Sequence, residues 1–395
     1  MRAIRITALI AAALLVCGCS RPPEPSVTVV FPEPEPVNVW LPEGHMDLVT
    51  QMCRGFTDLH PDKRYALLLS EVTQEDISAL RADLIDAPDV LFFSSEVLTS
   101  LAAAGVLARA ELTAQSYDET ALSAASYSGT AYAYPCAVDT FFLYYDKSRL
   151  NEKDTKKLER ILENDSKNAA FVANLSDSSL IGSLLLGAGC KVTQPYTFAQ
   201  DDSRLAAEYL IDLVREGELA DLDDHEIKSA FARREIAAAV SSAENAEAIA
   251  SSLGKDFGTA KLPLVGLSDG REIQPVSAAS YLLVGVRSGS GVSETAQELA
   301  QWLTSADNQL VRLEKQGLVP ADISLTEDKE LLERYPAVRA VYEQLQYSTV
   351  MSAPQNEAFC SLCEELGRSL VSGDEEMAAD CLGSFGISSI NGRKQ

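Results

Sequence analysis

The chain has few of the residues that most often carry chemistry. It holds three histidines and two tryptophans in 395 residues, and aromatics make up only 7%, which leaves few rings for catalysis or stacking. His45, His60 and His225 stand far apart in sequence. His225-Glu226 has no second histidine at metalloprotease spacing, and Ser290, between two glycines, lacks the spacing of a nucleophile elbow. Basic residues are also scarce: 33 lysines and arginines face 58 aspartates and glutamates, a formal charge of −25. Such a surface repels phosphate backbones and argues against a nucleic-acid partner; scattered over helix faces, the acids keep an exported chain in solution. The sequence has no GxxxxGK[ST] loop, so it does not itself supply ATP hydrolysis. No apolar run reaches the roughly 20 residues that cross a bilayer, and no repeat is apparent. These absences predict a non-enzymatic protein without cofactor or metal, an anchored hydrolase being the enzymatic alternative.

What is present begins at the N-terminus. Arg2 and Arg5 precede an apolar run over 8–16 that is too short to span a membrane. Val16-Cys17-Gly18-Cys19 follows, and this arrangement resembles a bacterial lipobox. The resemblance implies a signal peptide over 1–18 and a Cys19 acylated after cleavage, tethering the protein outside the cytoplasmic membrane. Residues 19–36 then read as a spacer, with six prolines between 20 and 36. Proline lacks an amide hydrogen and favours extended backbone, so this stretch is a semi-rigid tether.

Of eight cysteines, six remain beyond the tether: Cys53, Cys136, Cys190, Cys360, Cys363 and Cys381. Cys360 and Cys363 form a CxxC, but no second CxxC or histidine pair accompanies it. Phe359, Leu362, Cys363, Leu366 and Leu370 fall at helical spacing, so Cys363 reads as a small core residue. A bridge from Cys360 or Cys363 to Cys381 is the alternative for a chain outside the cytoplasm.

About 375 residues follow the signal, enough for two lobes. Short apolar runs alternate with helical patterns: strands over 37–41, 65–69 and 88–93, helices over 46–59, 74–84 and 97–104. Later come a helix over 202–215 ending at Gly217, a strand over 279–286, and a helix capped by Ser293 with Leu299, Trp302, Leu303 and Ala306 on one stripe. Helices over 358–371 and 375–382 close the chain. This alternation predicts an α/β fold with mostly parallel sheets, whose sites lie beyond the carboxyl ends of strands.

Several segments together carry a resemblance. Tyr127 to Thr140 reads YSGTAYAYPCAVDT and continues as FFLYYDK to Lys147. Asp86-Ala-Pro-Asp89-Val-Leu-Phe-Phe precedes Gly105-Val-Leu, and Leu303-Thr-Ser-Ala-Asp-Asn-Gln309 follows later. In this order they resemble the family 1 extracellular solute-binding proteins, of which maltose-binding proteins are the best known. The resemblance implies a two-lobe periplasmic-binding fold with a hinge of several crossings, near 135–140, near 274–280 and after about Leu325. It divides the chain into a first lobe over 37–136 and 277–328 and a second over 137–276 and 329–395. It also implies a monomer that captures a small solute by hinge closure and delivers it to an ABC permease with a cytoplasmic ATPase.

The same resemblance points to ligand residues. Asp139 sits at the family's acidic position after a crossover, with a hinge-stabilising carboxylate as the alternative. Glu96 follows the Phe92-Phe93 strand, with Phe93 as an aromatic or as core. Glu43 lies in the first strand-to-helix loop. Where maltodextrin-binding relatives carry stacking aromatics, this chain has Asp177-Ser178-Ser179 and Ser241-Ser242-Ala243-Glu244-Asn245. Asp177, Ser179, Glu244 and Asn245 therefore suit a smaller polyol, an amino sugar or a cation better than a long maltodextrin. A sugar or oligosaccharide is the preferred ligand class; a polyamine held by the acids, or a sensor without transport, are the alternatives.

Overall fold

The computed structural model describes residues 34, 36–61, 63–80, 87–112, 116–164, 171–192 and 201–384. The signal, Cys19 and the tether up to Glu33 lie outside the described residues, and the described fold beyond Pro34 belongs to the unit Glu35–Gln395.

Two sheets organise two α/β lobes. The larger runs in the order Val319–Pro320, Ala133–Thr140, Ser277–Val286, Val90–Ser94, Pro36–Leu41, Ala66–Glu71, with Ser348–Thr349 added beside Ser277–Val286. Pro36–Leu41 pairs in parallel with both of its neighbours, whereas Ser277–Val286 pairs antiparallel with Val90–Ser94 and Ala133–Thr140. The smaller sheet runs Phe257–Ala260, Phe142–Asp146, Ala238–Ser241, Phe171–Ala173, Leu219–Asp221. Its last three strands are parallel, and Phe142–Asp146 is antiparallel to both neighbours. Each sheet thus keeps a parallel side made by βαβ units and an antiparallel side where the chain changes sheet.

The sequence pattern explains the packing. Val90–Ser94 (VLFFS) is buried through Phe93, as expected of a central strand covered on both faces. Helix Met46–Leu59 places Val49, Met52, Cys53 and Phe56 at helical spacing against that sheet, and Trp302 Nε1 donates to Met52 O at 2.8 Å. Helix Asp201–Glu216 stops at Gly217, whose φ of +74° suits a residue without Cβ. In the second lobe Gly367 of helix Ala353–Ser372 lies so close to Leu175 that a Cβ would fall 1.6 Å from its carbonyl oxygen.

Four readings from the sequence are revised or decided by the structure. The helix expected to begin with a Ser293 cap has Val292 at its N-cap, with no side-chain cap bond. It ends at Leu303, and Ala306 opens a second helix, Ala306–Gln316, because Ser305 accepts from Asn308 N while Asn308 Nδ2 holds Trp302 O at 2.6 Å. The expected helix 74–84 is described only as Gln74–Ser78, and 81–86 lie outside the described residues. Cys363 is fully buried in the second lobe's core, and Cys381 carries a thiol, so no bridge to Cys381 forms.

The chain leaves the larger sheet at Thr140 and enters the smaller at Phe142, then returns between Ala260 and Ser277. Helix Pro336–Leu345 touches both: Tyr342 Oη donates to Pro320 O at 3.1 Å, and Thr259 Oγ1 donates to Pro336 O at 2.8 Å.

Candidate ligand cavity

Hydroxyl groups knit the crossing segments together. Thr140 Oγ1 lies 2.5 Å from Ser277 Oγ and donates to Ala278 O at 2.9 Å, while Ser277 Oγ lies 2.8 Å from Ser348 Oγ. Thr140 and Ser277 are buried, so each bond is made away from competing water. A cavity of about 200 Å³ opens beside this knot. From the larger sheet's strand Ala133–Thr140 come Asp139 and Thr140, with Glu96 from the turn after Val90–Ser94 and Ala278, Ala279 and Ser280 from the returning strand. Phe141 lies at the change of sheet. Ser178, Ser242, Met351 and Cys360 close the other side.

Asp139 is the pivot of this geometry. Its Oδ1 accepts from Thr140 N at 2.9 Å and from Ala243 N at 3.0 Å, the latter on the loop that follows the smaller sheet's strand Ala238–Ser241. One carboxylate oxygen therefore links a larger-sheet strand to a smaller-sheet loop. Burial pushes its carboxyl up to about 6, while the two amide bonds pull the other way and the Glu244 charge adds to the rise. Tyr144 Oη donates to Ser242 O at 2.7 Å and fixes the loop that brings Ser242 to the cavity.

The other predicted residues fall in different places. Glu96 lines the cavity from the short turn Ser95–Val97, where Ser94 Oγ accepts from its amide. Phe93 is 1% exposed and packs in the apolar core instead of lining the cavity. Glu43 is exposed and also outside the lining. Asp177 Oδ1 accepts from Ser179 N at 2.7 Å, and burial raises its carboxyl, aided by the charges of Asp224 and Glu364. Ser179 is buried at the start of helix Ser179–Gly187, so it is Ser178 between them that lines the cavity. Glu244 is exposed, and Asn245 is buried with its Nδ2 donating to Ser241 Oγ at 2.7 Å, which in turn donates to Asp224. Asn245 thus positions the loop.

Sequence reasoning did not single out Thr140, Phe141, Ser242, Ser280, Met351 or Cys360 as lining. Ser242 alone carried a usable signal, its place just beyond a strand's carboxyl end. Cys360 Sγ lies 3.0 Å from Ser178 Oγ, and burial pushes its thiol up.

Chemically, the lining among the described residues offers hydroxyls and two carboxylates with one aromatic ring, one thioether and one thiol, and no histidine, lysine or arginine. That set can hydrogen-bond a small polar molecule. Among the described residues, no group of three potential ligating side chains could hold a metal ion, and no helix is long and apolar enough to cross a membrane.

Residues 69–340 match the family described as bacterial extracellular solute-binding protein. The chain belongs to this family. The solute-binding protein is also 27% identical over 286 residues to the galactooligosaccharide-binding protein of Bacillus subtilis (strain 168), a match spanning 66% of each chain. Among solved structures it is similar to the maltodextrin-binding protein of L. casei BL23 without ligand, with a TM-score of 0.75 and 19% identity over 89% of this chain and 97% of that one. It is likewise similar to the extracellular solute-binding protein of Staphylococcus aureus in complex with maltose, with a TM-score of 0.73 and 18% identity over 90% and 98%. These structures show the two-lobe fold of maltose-binding-type proteins, and the family and its neighbours are binding proteins.

Proposed function

We propose that the solute-binding protein captures a small sugar in the cavity at its lobe junction and delivers it, without catalysis, to an ABC permease driven by a cytoplasmic ATPase. The observation that carries this reading is the lining itself: hydroxyls and carboxylates drawn from both lobes meet beside the segments that join them. A ligand bridging Asp139 and Glu96 to Ser178 and Ser242 would stabilise a closed arrangement of the lobes. The printed names of the relatives, which bind galactooligosaccharide, maltodextrin or maltose, support a carbohydrate. Phe141, the one lining aromatic among the described residues, favours a short sugar over a long stacked chain. Asp139, Glu96, Ser178 and Ser242 would make the direct contacts, with Asp177, Ser179, Glu244 and Asn245 supporting the loops around them.

The lobe boundaries belong to the same proposal, with the first lobe over 37–136 and 277–328 and the second over 137–276 and 329–395. So do the lipid anchor at Cys19, the tether to residue 36, a location on the outer face of the cytoplasmic membrane, and a monomeric state.

One observation favours a second reading, an amino sugar or polyamine. Among the described residues, the lining brings the carboxylates of Glu96 and Asp139 to one cavity, and an ammonium group could pair with them there. Thermal unfolding of the full chain against sugars, amino sugars and polyamines tests both. A ligand at about 100 times its Kd adds roughly 2.7 kcal/mol, a readily visible shift. A saturable shift with a neutral sugar supports the first reading, and a shift only with amines moves the assignment to the second. No shift across the panel would remove the cavity from consideration as a solute site.

A further inference from the structure

The lobe built on the larger sheet contains a charge that no acid among the described residues pairs with. Arg312, on helix Ala306–Gln316, is 0% exposed, and its Nε, Nη1 and Nη2 are all buried without a hydrogen-bond partner. Its guanidinium carbon lies 5.1 Å from the centroid of the Phe92 ring. Arginine stays protonated at any accessible pH, so it cannot escape burial by losing its charge. A ring face alone is a weak partner for a cation withdrawn from water.

Neighbouring groups do not supply the missing negative charge. Burial pushes the Cys53 thiol up to about 12 and raises that of Cys136, so both stay protonated beside the guanidinium. Glu71, whose charge reaches His45, accepts from Met46 N at 3.0 Å at the start of helix Met46–Leu59. His45 precedes that helix, and burial, then the Arg312 charge, lower its pKa, so the imidazole is neutral. Its Nδ1 is buried with no partner. One turn beyond Arg312, Gln316 donates from Nε2 to Gly44 O at 3.3 Å, while its Oε1 is buried without a donor. The orphaned groups thus lie along the face where the two helices meet: Gln316, one turn from Arg312, bonds Gly44, the neighbour of His45, and the unpartnered atoms are the three guanidinium nitrogens, one nitrogen on a neutral ring and Gln316 Oε1.

We propose that Arg312 and His45 hold a small inorganic anion of the halide class inside the lobe built on the larger sheet. The guanidinium supplies charge and a donor fork, His45 Nδ1–H a further donor, and a water bound beside the anion satisfies Gln316 Oε1. A halide fits because it accepts from several directions and needs little room within a packed core. The site is separate from the solute cavity and stands whether or not that cavity binds a sugar.

The test exchanges sodium gluconate for sodium chloride at constant ionic strength and follows the Tm of the full chain. The wild type should show a saturable rise of a few degrees, and Arg312→Leu should show none. In parallel, wild-type crystals soaked in bromide should give an anomalous peak in contact with the guanidinium nitrogens. If Arg312→Leu does not fold, or if the two measurements differ, the peak decides. A site refined as water alone, or an equal chloride response in both proteins with no peak at Arg312, would overturn the proposal.

Discussion

Replacing Asp139 by asparagine separates its charge from its geometry. An asparagine Oδ1 can still accept from Thr140 N and Ala243 N, so the link between sheet and loop survives and only the charge is removed. In the folded protein burial raises the carboxyl from 3.8 to about 6. At about 1.36 kcal/mol per unit a rise of this size corresponds to about 3 kcal/mol, and the partial exposure of the side chain reduces that to about 1–3 kcal/mol. Because the folded pKa lies above the unfolded one, the native chain holds this proton more tightly. The resulting stability is intact below about pH 4, falls as the pH rises, and is gone above about pH 6. Beyond that the ionised group is a constant cost to the unliganded protein. Asp139→Asn is therefore expected to match the wild type near pH 4 and to exceed it by about 1–3 kcal/mol at pH 7.5. Urea unfolding of both proteins at pH 4.5, 6 and 7.5, without ligand, measures the difference directly. A difference that stays constant across this range would refute the argument. Solute binding should move the opposite way: losing a charge-assisted hydrogen bond would weaken affinity roughly 10- to 100-fold at pH 7.5.

Other consequences are as direct. Gly367→Ala puts a methyl carbon where only 1.6 Å separates it from Leu175 O, so helix Ala353–Ser372 must shift, at a cost of about 3 kcal/mol; an unchanged urea midpoint would count against this packing. Phe359→Ala empties a site that is 1% exposed and sits over Gly182, and should cost about 3–5 kcal/mol by the same assay. Cys360 lines the cavity with its thiol raised by burial, so maleimide should label it slowly at pH 7 and faster at pH 9, and a bound solute should slow it further. Labelling unaffected by a solute that raises Tm would place that solute elsewhere.

The parts of the fold that were legible in the sequence are those where packing imposes a period. Helix Met46–Leu59 was readable to the residue because one stripe of it is buried, and VLFF at 90–93 could be read as a central strand because both its faces are covered. The turn at Ser305 was less visible: an apolar stripe continues across it, and only the contacts of Asn308 with Ser305 and Trp302 show where one helix ends. The cavity was legible only at Asp139, near the carboxyl end of Ala133–Thr140, and at Glu96, just beyond Val90–Ser94. Phe93 shows the reason for one miss, since alternation along a strand gives its two faces but not which layer covers them; here Phe93 packs against Gly285 and Leu107 in the core. Asp177 and Ser179 show another: both flank the lining residue, and the bond from Ser179 N to Asp177 Oδ1 turns that carboxylate back onto its own loop. Loop residues follow no period, so sequence spacing cannot say which of three adjacent polar side chains faces the cavity.

The residues that join the two sheets and those that line the cavity are partly the same, so a solute held there would couple binding to the proposed closure. Thr140 belongs to the hydroxyl knot with Ser277 and Ser348 and also to the lining. Asp139 lines the cavity while its Oδ1 holds Ala243 N on the loop that follows the smaller sheet's strand Ala238–Ser241. A ligand hydroxyl donating to Asp139 would stabilise the ionised carboxylate, which burial otherwise disfavours at neutral pH. The strain of an under-solvated acid in the empty protein is then relieved only when the solute is present. Affinity and closure follow from one electrostatic imbalance, so a substitution that stabilises the unliganded protein at Asp139 should weaken binding, and the two effects should share one pH dependence.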